Sequence, residues 1–226
     1  MDKKHANERL ILACLSTLGC MALSVWAAPA KAHPHVFIDG GVDFEFSEDQ
    51  TLPSLKVTWL YDEFETLYIL ASNNLSLNDA GELDEPDRLK LEQKFSEWPE
   101  DFDGSAHLSF DGHSVPLKWP DDPRVQLIDG RIEAVFTRDL EKPMPLSGAA
   151  AEVAFYESTY FFAFKIANTP QLMGSSDTCV AEVIPFNPDP DNASLLAKLA
   201  MLSREEIPAE ENVGQLFADR IALRCG

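Results

Sequence analysis

Apolar and polar residues alternate through "VDFEFSEDQTLPSLKVTWLYDEF", with Phe44 and Phe46 before a turn-forming run at 47–53 and Leu55, Val57 and Trp59 after it. A period of two is the mark of a strand buried on one face, so this stretch predicts a strand, a turn and a strand. The period then changes. Phe64, Leu67, Tyr68 and Ala71 in "YDEFETLYILAS" follow helical spacing, as do Leu91, Phe95 and Trp98 in "EPDRLKLEQKFSEW", where Pro86 suits a first helical turn. From Ser105 the period of two returns, and Asp111-Gly112 and Asp129-Gly130 each sit between alternating runs as hairpin turns. "AEVAFYESTYFFAFKI" and "TCVAEVIPF" supply further strands, with Phe155, Tyr160, Phe162 and Phe164 as inward residues. This pattern limits the chain to an α+β fold, a mainly antiparallel sheet with a helical insertion over about 61–98. Beyond "IPFNPDPDN", a C-terminal extension over about 187–226 reads as helical, although "RIALRC" also suits a last strand that would bring Cys225 to Cys179.

The N-terminus reads as a secretory signal: "MDKKHANER" is basic, "LILACLSTLGCMALSVWAA" is apolar and "AKA" supplies small residues before a cut between Ala32 and His33. A cut after Ala30 fits the same rule. The apolar run is interrupted by Ser, Thr, Gly and Cys, which disfavours a membrane anchor. Thr17, three residues before Cys20, stands where lipidation wants leucine. Residues 1–32 are therefore expected to be a signal peptide and 33–226 a single periplasmic domain. Cys14 and Cys20 leave with the signal, so Cys179 and Cys225 remain in an oxidising compartment and are expected to form a disulfide, with a thiolate metal pair as the rival. The bond would close a loop of about 45 residues and contribute roughly 3–4 kcal/mol on the loop-entropy account. The formal charge of −20 excludes nucleic acid as a partner. Solubility is reason enough for that charge, which does not by itself indicate a metal.

The chemistry concentrates in "AHPHVFID". If the mature chain begins at His33, its α-amine and Nδ1 can chelate one metal ion, and His35 adds a third nitrogen. Pro34 has no N–H, so the copper and nickel clip built on deprotonated backbone amides is blocked. What remains is a brace of three nitrogens suited to nickel, cobalt, copper or zinc. The plain alternative is an N-terminal segment that merely starts a strand. His113 beside a hairpin turn and His107 on the face opposite Ala106 and Leu108 are expected to be solvated. In "SLNDAGELDEPD", Gly81 and Leu83 match a calcium-binding loop, but Ser76, Asn78, Ala80 and Asp87 at the ligand positions leave too few carboxylates, so calcium is disfavoured. No G-x-S-x-G, H-E-x-x-H, Walker or C-x-x-C motif is present, and no enzyme class follows.

The chain resembles a bacterial secreted family of unknown function whose members begin His-Pro-His-Val-Trp-Ile-Asp and carry a Tyr-Asp-Pro-Thr-Tyr-like block. That family is often labelled the periplasmic component of an uncharacterised ABC-type transport system and is associated with nickel/cobalt-type permeases. His33, Pro34, His35 and Asp39 match its opening, with Phe37 for tryptophan. Asp62, Glu63 and Phe64 match an Asp-Glu-Phe block; Tyr156, Thr159 and Tyr160 match the later one, where Glu157 and Ser158 replace Asp and Pro. The resemblance implies a periplasmic role in transition-metal handling.

The expected function is that of a non-enzymatic periplasmic protein that binds a transition metal and delivers it to, or senses it for, a nickel/cobalt-type or ABC-type permease. His33 and His35 are its centre, with Asp39, Asp62 or Glu63 as candidates to complete the ligand set. A copper brace enzyme that activates oxygen and a metal-free structural or carrier module are the alternatives.

Overall fold

The computed structural model describes residues 33–99, 102, 104–145, 148, 150–175, 177–203 and 206–226. The signal segment expected over 1–32 lies outside them. Strand β1 (Val36–Glu45) turns into β2 (Thr51–Tyr61), and helices α1 (Glu63–Ser72) and α2 (Glu85–Ser96) follow. The hairpin β3 (Ala106–Phe110) to β4 (His113–Val115) leads to a second hairpin, β5 (Asp121–Ile128) to β6 (Arg131–Pro145). Next come β7 (Ala150–Phe155), β8 (Phe162–Ile166), β9 (Leu172–Met173) and β10 (Cys179–Ile184). Helix α3 (Pro190–Leu199), a 3-10 turn (Val213–Phe217) and β11 (Asp219–Cys225) complete the chain.

The strands form two sheets, one ordered β5-β6-β2-β1-β8 with β9 also on β1, the other β10-β11-β7-β3-β4. Pairing is antiparallel except where β8 and β9 join β1 in parallel. The fold is α+β, as the alternation requires. Ile38, Val42 and Phe44 of β1 and Leu55, Val57 and Trp59 of β2 point into a core that Val153 and Phe155 of β7 and Ile221 and Leu223 of β11 enter from the other sheet. Each such side chain, fully buried, contributes about 1.5–3 kcal/mol over an exposed one. Gly40 has no room for a side chain: a Cβ there would stand 2.2 Å from the Thr58 carbonyl oxygen of the neighbouring strand and 3.3 Å from the Phe155 ring of the other sheet. Trp59 fills the centre, its indole stacked 5.5 Å from that of Trp98 and its N–H donated to Ser105 Oγ at 2.7 Å. A tryptophan can be buried this deeply only with its N–H paired.

The helices cover the part of the first sheet that the second leaves open. Asp62 caps α1, its Oδ1 accepting the Glu65 N–H at 2.9 Å. Pro86 lies in the first turn of α2. Each helix also receives a strand N–H with a polar side chain: Thr66 Oγ1 accepts Ile132 N at 3.0 Å, and Glu92 Oε1 accepts Val125 N at 3.1 Å. Among the described residues no helix is long and apolar enough to cross a membrane.

Two expectations need correction, for Tyr160 and for His107, and the facing of α1, which spacing left open, is settled. "AEVAFYESTYFFAFKI" supplies two strands in different sheets, and Tyr160, expected among the inward strand residues, lies in the turn between them with a left-handed φ of 59°. The helical stripe Phe64, Leu67 and Tyr68 faces outward, while Thr66 and Leu70 are the buried positions of α1. His107 is not solvated: its ring stacks 3.9 Å from that of Tyr156, and its Nε2 lies 3.1 Å from the Tyr156 carbonyl oxygen. His113 is exposed at its turn. At the C-terminus the strand reading of "RIALRC" holds. β11 lies between β10 and β7, and Cys225, directly opposite Cys179, is joined to it by a disulfide.

Candidate metal centre

His33, Pro34 and His35 lead into β1 at the edge where β8 joins it in parallel. The backbone N–H groups of His35 and Val36 both donate to the Phe161 carbonyl oxygen, at 2.9 and 3.2 Å. This pairing fixes the segment against the residue just before β8, and the His33–Pro34 peptide is cis. The two imidazoles meet edge to face with centroids 5.1 Å apart. Both rest on the Phe161 ring, 4.9 Å from His35 and 6.0 Å from His33. His33 is only 5% exposed, and its Nδ1 is buried with no hydrogen-bond partner among the described residues. His35 Nε2 is buried as well. A buried ring nitrogen left without a hydrogen bond costs about 1–3 kcal/mol, so its position calls for a ligand or a proton partner.

Phe161 is held by Glu157. This buried carboxylate accepts Thr159 N at 2.7 Å, Thr159 Oγ1 at 3.0 Å and Phe161 N at 2.9 Å. Such a set of donors is what a buried carboxylate needs in place of water. The turn is seated in its place by the 3-10 segment. Gly214 N donates to Ser158 O at 3.1 Å, and a Cβ on Gly214 would lie 1.8 Å from the Glu157 carbonyl oxygen. The Tyr160 ring completes the seat against Phe217, 4.5 Å away.

The loop after α3 reaches the same place. The carboxyl of Glu206 is held below its ordinary value by hydrogen bonds from Ser203 and, to a smaller extent, by the nearby His33. Glu206 is thus near enough to His33 for the two to interact electrostatically.

Of the carboxylates expected to complete the ligand set, Asp39 and Asp62 are engaged elsewhere and Glu63 is exposed. Asp39 pairs with Arg131 at 3.0 Å, and the same guanidinium donates to the carbonyl oxygens of Tyr61 and Leu60. Four residues of extended chain put Asp39 about 13 Å along the strand from His35, beyond a shared ion. Asp62 spends one oxygen on the cap of α1 and the other on Phe37 N at 2.8 Å, so it ties helix to strand. Glu63 is exposed in the first turn of α1. Among the described residues, no three His, Cys, Asp or Glu side chains converge as a metal site. In the calcium-like loop, Asn78 Oδ1 accepts the N–H groups of Ala80 and Glu82, so this oxygen serves the turn itself. A cavity of about 1020 Å³ is lined by Trp98, Trp119, His107 and Arg138, among others, and neither His33 nor His35 borders it.

Sequence reading missed Glu157, Phe161, Gly214 and Glu206. Glu157 had a usable signal, since Ser158-Thr159 interrupts an alternating run as a turn does. Phe161 had none, because its neighbours Phe162 and Phe164 carry the same apolar character.

Residues 18–225 match the model of a family described as "Protein of unknown function (DUF1007)". No curated protein matches the chain.

Proposed function

Since the chain belongs to the DUF1007 family, whose function is unknown, we propose that it is a periplasmic accessory protein that binds one transition-metal ion at His33 and His35 and hands it to, or reports it to, a membrane transporter. The observation that carries this reading is the buried Nδ1 of His33, without a hydrogen-bond partner among the described residues, beside the partly buried imidazole of His35. Nδ1 is the ring nitrogen that closes a small chelate with the residue's own α-amine. His35 Nε2 is then the third donor. Such a site needs only two side chains, because its remaining donor is the α-amine of the chain terminus.

Three nitrogen donors suit nickel, cobalt, copper or zinc, and the ion would supply a Lewis-acidic centre with open coordination positions. Phe161 would shield one side of it, while Glu206 would balance part of its charge. Asp39, Asp62 and Glu63 take structural roles in this reading rather than ligand roles. Calcium has no place in it. The resemblance of the HPH opening to that of permease-associated proteins supports a nickel/cobalt-type or ABC-type transporter as the recipient.

The test is native mass spectrometry of the untagged protein exported by its own leader. The expected species begins at His33, carries the Cys179–Cys225 disulfide and retains one transition-metal ion that acid or chelator removes. A chain that starts at His33 but takes up no metal would favour the metal-free module. Oxygen consumption by the copper-loaded protein with a reductant would favour the enzyme.

A further inference from the structure

We infer that the outer face of α1, together with Phe37, is a docking surface for an apolar, lysine- or arginine-bearing segment of a partner protein. Phe64 is 87% exposed, Leu67 65% and Tyr68 55%, and with Ala71 they occupy positions i, i+3, i+4 and i+7 of one helix. A helix on a sheet ordinarily turns such a stripe inward, yet the buried side of α1 is made by Thr66 and Leu70. Phe37, 55% exposed, lies at the same end of the molecule. Its N–H donates to Asp62 Oδ2 and its carbonyl accepts Asp62 N, which ties it to the cap from which α1 starts. Exposed apolar surface gathered in this way marks an interaction site rather than scattered surface residues.

Charge decides what docks there. Helix α1 carries Glu63 and Glu65 and no basic residue. At its C-terminal end the ammonium of Lys90 is committed to the Asn73 carbonyl oxygen at 2.8 Å. An anionic lipid surface would be repelled by this rim, and a second copy of the chain would bring the same acidic rim and a like net charge of −20. A protein segment that places apolar side chains on the stripe and cations against Glu63 and Glu65 satisfies both features. The surface stands independently of the metal reading. Its further role, receiving the partner that takes or gives the ion, rests on that reading: Phe37 is about 7 Å along the strand from His35.

The experiment titrates the exported, full-length mature protein with a synthetic helical peptide bearing leucines at i, i+3, i+4 and i+7 and flanking lysines. The same peptide with glutamates for lysines is the control. The wild type should bind the lysine peptide and not the glutamate peptide. Phe64→Ser/Leu67→Ser should weaken binding about tenfold, the scale of losing an interface anchor, with an unchanged melting temperature and unchanged metal titration. Equal affinity of wild type and double variant for the lysine peptide, or no binding to either, overturns the proposal. So does self-association, or binding to phosphatidylcholine or phosphatidylglycerol vesicles, that the double variant abolishes, since either would assign the face to a second copy or to a membrane. Failure of the wild type to bind metal while peptide binding persists would remove the metal reading alone.

Discussion

Glu157→Gln is the substitution through which the scaffold of the histidine pair can be weighed. It keeps the shape of the side chain but exchanges one acceptor oxygen for an NH2 group. Oε1 serves Thr159 N at 2.7 Å, and Oε2 serves Phe161 N at 2.9 Å and Thr159 Oγ1 at 3.0 Å. Whichever way the amide turns, its NH2 faces a backbone N–H that cannot accept. One donor therefore loses its partner inside the turn, at a cost of about 1–3 kcal/mol, and about 2 kcal/mol is the expected loss. With a urea m-value of roughly 2 kcal/mol/M for a chain of this size, the denaturation midpoint should fall by about 1 M at constant m. Glu48→Gln, at an exposed position, is the control and should stay within about 0.5 kcal/mol of the wild type. A midpoint that falls by less than about 0.3 M on Glu157→Gln, with m unchanged, would refute the claim that this carboxylate holds the turn.

Other consequences are as direct. Gly214→Ala drives a Cβ into the Glu157 carbonyl oxygen, which is backbone and cannot swing aside; it should cost about 3 kcal/mol or more in the same denaturation assay. Reduction of Cys179–Cys225, which closes a separation of 46 residues, should lower stability by about 3–4 kcal/mol, and neither cysteine should take up a thiol label before reduction. Burial, with a smaller contribution from the Glu65 charge, pushes the Tyr61 phenol well above its ordinary value of 10.0. Its neutral form is thus favoured in the folded state: this contribution is fully present below pH 10 and is lost as the pH rises beyond it. Tyr61→Phe should flatten that alkaline loss in stability measured between pH 9 and about 11.

The strands, both helices of the insertion and the hairpins at Asp111-Gly112 and Asp129-Gly130 were legible because a period of two or of 3.6 is a local property, written within a few residues. The disulfide was legible because Cys14 and Cys20 lie in the expected signal peptide, which leaves Cys179 and Cys225 as the expected pair. The facing of α1 was not, since its apolar stripe and its buried face are both helical in spacing, and only the tertiary fold decides which is covered. The break at Glu157 was masked by the apolar residues on both sides of it. Of the candidate ligands, His33 and His35 come together because they precede a strand pinned to Phe161. Asp39 and Asp62 looked equally suitable in sequence, but Arg131 and the N-terminus of α1 claim them. A carboxylate's partner many residues away leaves no trace in local pattern.

The central claim is that His33 binds metal through its own amine and Nδ1, with His35 beside it. Calorimetric titration of copper(II) and nickel(II) into the mature chain, and into the same chain with one alanine ahead of His33, tests it most directly. Every side chain is retained in the extended form, while the amine is displaced from the chelate. The expected result is one ion bound per native chain, with affinity lower by at least about tenfold for the extended chain, a difference of about 1.4 kcal/mol. Equal affinity of the two chains, or no ion bound by the native one, would contradict it.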